Sequence, residues 1–203
     1  MRKILGVLTL FLVACVGFKQ GPYSFEEGFN YVKGLDGNYG GDFKMEQLAR
    51  NFVEVKKIDA FQEALRSFAD RVQQDPDSAD KKRLLWFIEM RKQMLESERL
   101  YQLAGMFGDF ILIEERSCDK KKEMEFAYKY YKTSVERGSN ATRILDLVLQ
   151  DSEVAQKLIG VHETGSMVDL RPRFYLSDWD GTLKLVEKLA VSLNECIAQA
   201  QQG

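Results

Sequence analysis

Three cysteines, one histidine and a few clusters of acidic side chains are the residues of this 203-residue chain that could do chemistry. Cys15 closes a run of 11 uncharged residues, Ile4 to Ala14, which follows Arg2 and Lys3. A short cationic segment, an apolar stretch and a small residue before the cysteine are the parts of an export signal. A spanning helix needs about 20 apolar residues, and this run would cover only about 16 Å, so a cleaved leader is expected rather than a permanent span. Lys19 stops any extension through Val16 to Phe18. Cys118 and Cys196 are then left as an even pair, which in an exported protein makes them a disulfide candidate. Closing a loop of that length contributes roughly 4 kcal/mol on the chain-entropy estimate. Two buried free thiols are the alternative.

The remaining groups offer weaker chemistry. His162 is the sole histidine, so a histidine-based zinc site or a Ser-His-Asp relay would depend on it alone. Glu163 and Asp169 are close by in sequence, and a solvated loop histidine is the expected state. Asp36, Asn38 and Asp42 space oxygen groups as a calcium loop does, but Gly40 and Gln47 stand where a fifth-position oxygen ligand and a twelfth-position Glu are required. A turn is expected there instead. Neither Cys118 nor Cys196 lies in a Cys-x-x-Cys pair, which leaves dithiol redox chemistry unsupported. With no nucleophile–base pair, metal cluster or cofactor signature, a non-enzymatic protein without cofactor or metal is expected. Tyr128, Lys129, Tyr130, Tyr131 and Lys132 interleave cations with aromatic rings. On a helix this pattern places Phe126, Tyr130 and Tyr131 partly inside, with the lysines reaching out to water. Asn140-Ala141-Thr142 is an N-glycosylation sequon at an expected loop.

Three segments resemble known families. Leu12-Val13-Ala14-Cys15 resembles the lipobox of prokaryotic lipoproteins, over the signal region only. That resemblance implies cleavage before Cys15 and a lipid on its sulfur. Residues 1–14 are then a signal peptide, 15–23 a lipidated tether and 24–203 the helical domain. Two or more acyl chains, at about 0.8 kcal/mol per buried methylene, make such attachment stable. Plain secretion is the alternative. Asp178-Trp179-Asp180-Gly181-Thr182-Leu183 resembles the first motif of haloacid-dehalogenase-type phosphatases, which implies a nucleophilic Asp178, an acid at Asp180 and nearby Mg²⁺. The residues after Leu183 read as one helix, so the parallel sheet of that family cannot be built from them. The acids instead suit the positive end of a helix that begins here. Ala64, Phe68 and Pro76 resemble the second helix and turn of a tetratricopeptide unit. No second copy follows, and an irregular bundle is the better reading.

The elements that must carry these residues are helical. Ser24 and Glu27 form a capping box ahead of Phe25, Phe29 and Val32. Four glycines between 34 and 41 predict a loop over 34–42. Met45, Leu48, Phe52, Val55, Ile58, Phe61, Leu65, Phe68 and Val72 recur at steps of three and four, one apolar stripe of a long helix over 44–74. Asp75-Pro76-Asp77-Ser78 ends it and caps the next, which runs over 79–103 with Leu84, Phe87, Ile88, Met94, Leu95 and Tyr101 inward. It continues to about 115 if Gly105 and Gly108 merely kink it. Asp119 is expected to cap a fourth helix to 136, broken by Gly138-Ser139-Asn140. One or two helices follow over 142–159, with a possible restart at Asp151-Ser152. Residues 160–175 are the least helical. A closing helix over 182–202 carries Leu183, Leu185, Val186, Leu189, Leu193 and Ile197.

Short connections between such helices predict an all-α, irregular antiparallel bundle of five to seven helices. Apolar residues at 45% are enough for a core. Removing Arg2 and Lys3 with the leader leaves 27 basic against 31 acidic residues, so no nucleic-acid footprint is present. The expected protein is anchored to membrane lipid through Cys15 on the outer face of a cell, where its helical body binds a protein or cell-envelope partner. A small-ligand or solute-binding accessory role, with 160–175 as the rim of a pocket, is the alternative.

Overall fold

A computed structural model of the chain describes residues 20–39, 47–113, 118–152 and 179–202. The described residues hold five α-helices and no strand: α1 (Phe25–Tyr39), α2 (Gln47–Gln73), α3 (Ala79–Ile113), α4 (Lys121–Leu149) and α5 (Trp179–Gln202). A 3₁₀ turn, Cys118–Lys120, leads into α4. The fold is an all-α antiparallel bundle.

The long α3 is its spine. α2 folds back along α3 through the turn at residues 74–78, tied by Arg99 to Asp59 at 2.6 Å and by Gln62 to Glu96 at 2.9 Å. α4 runs antiparallel to α3 for most of its length. The pairs Arg83–Asp151, Gln93–Arg137, Ser97–Ser134 and Tyr101–Tyr131 record that register, each step up α3 matched by one down α4. α1 lies across α2 and α3, while α5 packs chiefly on α4.

Two apolar clusters fill the bundle. In the larger, the α1 residues Phe25, Phe29 and Val32 meet Leu65, Phe68 and Val72 of α2 and Leu84, Phe87 and Ile88 of α3. Each such side chain contributes roughly 1.5–3 kcal/mol when withdrawn from water. The smaller cluster joins Ala104 of α3, Met124, Ala127 and Tyr131 of α4, and Leu189, Leu193 and Cys196 of α5. At Gly28 the backbone of α1 comes so close to α3 that a Cβ there would stand 2.3 Å from a Leu84 methyl.

Several local expectations are corrected. The loop predicted over 34–42 is helical as far as Tyr39, because Leu35 is buried in the larger cluster and holds that turn down. Asp36 and Asn38 therefore lie in α1. α4 does not break at Gly138-Ser139-Asn140. Gly138 and Ala141 are buried in it, so the small residues serve close packing instead of chain reversal. α3 does continue past Gly105 and Gly108, to Ile113, as the sequence allowed. Asp119 does not cap α4: it sits in the 3₁₀ turn, and Lys120 occupies the cap with no side-chain hydrogen bond. Phe126 points outward at 49% exposure, whereas Tyr131 is buried and Tyr130 packs on the smaller cluster. Leu183 and Ile197 are also exposed. Cys196 faces inward, and a one-residue step along a helix turns Ile197 about 100° away from it.

Candidate functional site

Polar and sulfur side chains gather at three heights along the bundle. The first lies where the chain enters it. Gly21 has φ +113°, a left-handed conformation natural only to glycine, and Pro22 follows. The Tyr23 backbone N–H then donates to Asp75 Oδ2 at 2.9 Å, across 52 residues of sequence. Arg71 grips the same segment twice, with Nη1 on Asp75 Oδ1 at 2.6 Å and Nη2 on the Gly21 carbonyl at 2.8 Å. Its guanidinium also lies 5.8 Å from the centre of the Tyr23 ring, and that ring stands edge-on to Phe68. Asp75 is only 6% exposed, so its carboxylate needs these partners. Lys81 Nζ bonds the Asp75 carbonyl at 2.7 Å and Asp77 at 3.1 Å, which closes the α2–α3 turn.

Local sequence supports this clamp on both sides. Ser24 and Glu27 form the expected capping box, the Ser24 N–H donating to Glu27 Oε2 at 3.0 Å and the Glu27 N–H to Ser24 Oγ at 3.2 Å. Ser78 Oγ accepts the Lys81 N–H at 3.0 Å and so caps α3. Arg83 reaches Asp151 Oδ2 at 2.6 Å and fastens the residues after α4 to this pole.

The second height is the middle of the α3–α4 seam. Ser97 and Ser134 are both buried, and each hydroxyl donates to the other residue's carbonyl, Ser134 Oγ to Ser97 O at 2.8 Å. Nearby, burial opposes the charge on Glu89. Hydrogen bonds from Lys92 and Gln93, with the positive charges of Lys92 and Arg137, nonetheless hold its carboxyl below the ordinary value.

The third height is the opposite pole. Cys118 and Cys196 are joined there, with S–S 2.01 Å and Cα–Cα 5.4 Å. The bridge pins the last third of α5 to the start of α4.

Of the residues marked out by sequence, the fold brings Cys118 and Cys196 together and puts Asn140 inside α4, partly buried, rather than in a loop. Asp180 falls in the first turn of α5, which begins at Trp179, three residues before the expected start at Thr182. Tyr128, Tyr130 and Tyr131 share α4 with Lys129 and Lys132, and the Lys132 ammonium lies 5.9 Å from the Tyr128 ring centre. Residues 1–14, Cys15, Asp42, Met45, His162, Glu163, Asp169, Asp178 and the 160–175 segment lie outside the described residues. Among the described residues no three His, Cys, Asp or Glu side chains converge as a metal site, and no helix is long and apolar enough to cross a membrane.

Sequence reading missed the Tyr23–Arg71–Asp75 clamp, since nothing local marks a bond spanning 52 positions. The serine pair left a fainter signal: Ser97 sits three residues from inward Met94 and Ser134 three from inward Tyr131, polar side chains on apolar faces. No protein-family model, curated protein or solved structure matches the chain.

Proposed function

We propose that this is a lipid-anchored extracytoplasmic protein, attached through Cys15, whose helical body binds a protein or cell-envelope partner and does no catalysis. The observation that carries the reading is the Cys118–Cys196 disulfide, because bridges of this kind persist in oxidising surroundings, and a leader over residues 1–14 would address the chain to such surroundings. The clamp on Gly21–Tyr23 adds support. It gives the chain a firm point of exit a few residues beyond the sulfur that would carry the lipid. The buried side chains of Gln62, Asp75, Ser97 and Ser134 tie separate parts of the bundle together, which suits a binding body. Phe126 and Ile197 expose apolar surface toward the disulfide pole, where a partner could be met.

The test compares the wild type with Cys15→Ser in the native host. The expected result is a wild-type protein that fractionates with membranes, its mass showing an acylated Cys15 at the N-terminus, and a variant that is released or left uncleaved. A cleaved variant retained on membranes as well as the wild type would end the anchor reading. So would an intact leader on cytosolic protein.

A further inference from the structure

We propose that the pole formed by the α2–α3 turn is the face of the bundle that rests against lipid, with Trp86 and Lys82 as its interfacial contact. The inference rests on the lipid-anchor reading above and adds an orientation to it.

The first argument is reach. Six residue steps separate Cys15 from Gly21, whose carbonyl is held by Arg71, and six steps span at most about 20 Å. The clamp on Asp75 fixes that exit beside the α2–α3 turn. α3 has 35 residues and is about 52 Å long, so the Cys118–Cys196 pole is separated from the exit by more than twice the reach of the tether. A lipid on Cys15 therefore brings the α2–α3 turn to the surface, and the disulfide pole cannot take its place.

The second argument is what this pole displays. Trp86 lies seven residues into α3, about 10 Å from its start. It is 38% exposed, with the Lys82 ammonium 4.8 Å from its ring centre. An indole beside a lysine suits the boundary between acyl chains and headgroups, where the ring is half-desolvated and the cation meets phosphate. Leu147 is also exposed at this height, since the α3–α4 register sets Asp151 beside Arg83.

The experiment uses the full-length lipidated protein on vesicles of phosphatidylethanolamine and phosphatidylglycerol with brominated acyl chains, which quench nearby indoles. Trp179→Phe leaves Trp86 as the only tryptophan. Trp86→Phe with Trp179→Phe and Lys122→Trp moves the indole to the disulfide pole. Both proteins are expected to float with the vesicles, with Trp86 losing most of its emission and position 122 keeping its own. Flotation with an unquenched Trp86, or equal losses at the two poles, would overturn the orientation and leave the anchor standing. Failure to float would remove the anchor and the orientation together. Asp75→Asn and Arg71→Gln, measured side by side so that a folding defect in one leaves the other readable, are expected to float normally but to narrow the difference between the poles. An unchanged difference in a folded variant would remove the clamp from the argument.

Discussion

Replacing Cys118 and Cys196 by serine should release α5 while the rest of the bundle stays folded. Loop closure over the 78-residue separation stabilises the native state by about 4.5 kcal/mol on the chain-entropy relation. If only α5 and the chain leading to it open, the loop freed begins after α4, and the same relation still returns about 4 kcal/mol. The apolar hold on α5 is of similar size: Leu189 and Leu193 are its buried leucines, together worth about 3–6 kcal/mol. Without the bridge, α5 loses a share of its attachment comparable to its whole buried leucine contact. The larger cluster, by contrast, contains no residue of α5. Hydrogen exchange read by mass spectrometry, on the oxidised protein and on the double serine variant, separates these regions. Amides of α5 should exchange about a thousandfold faster in the variant, since each 1.4 kcal/mol is tenfold. Amides around Phe68 and Phe87 should keep their protection. Equal protection of α5 in both proteins, or loss of protection in α1–α3 in step with α5, would refute the reasoning.

Gly28→Ala should destabilise the bundle by up to about 2 kcal/mol, because overpacking against Leu84 costs about 1–3 kcal/mol and the gain in helix propensity returns about 1. A urea midpoint at or above that of the wild type would mean that Leu84 has room to move. Glu89 has its pKa lowered from 4.5 by folding, so its contribution is present above that value and is lost as pH falls through the lower, native-state value. Glu89→Gln should therefore lose less stability than the wild type on acidification below pH 4.5, measured as the change in urea midpoint. Parallel losses in the two proteins would count against the Lys92, Gln93 and Arg137 interactions as the cause.

Much of the fold was legible because a helix repeats its neighbours every three to four residues. The stripe from Val55 to Val72, the Ser24–Glu27 box and the Ser78 cap are all local, and the structure places them as the spacing predicts. The errors cluster at glycine. Gly34 and Gly138 read as breaks, since an isolated glycine weakens a helix by about 1 kcal/mol relative to alanine. Within the bundle that cost is outweighed by the burial of Leu35 and Ala141 near them.

The sequence by itself determined the helical class and the apolar stripe that each long helix turns inward, because each depends on residues a few positions apart. Tertiary structure alone decided that Asp75 holds Tyr23, that Ser97 meets Ser134, and that Cys118 and Cys196 stand 5.4 Å apart at the Cα atoms. Those contacts join positions 37 to 78 residues apart. They follow from which helix lies against which and in what register, a choice made by the packing of the whole core and written in no single segment of the chain.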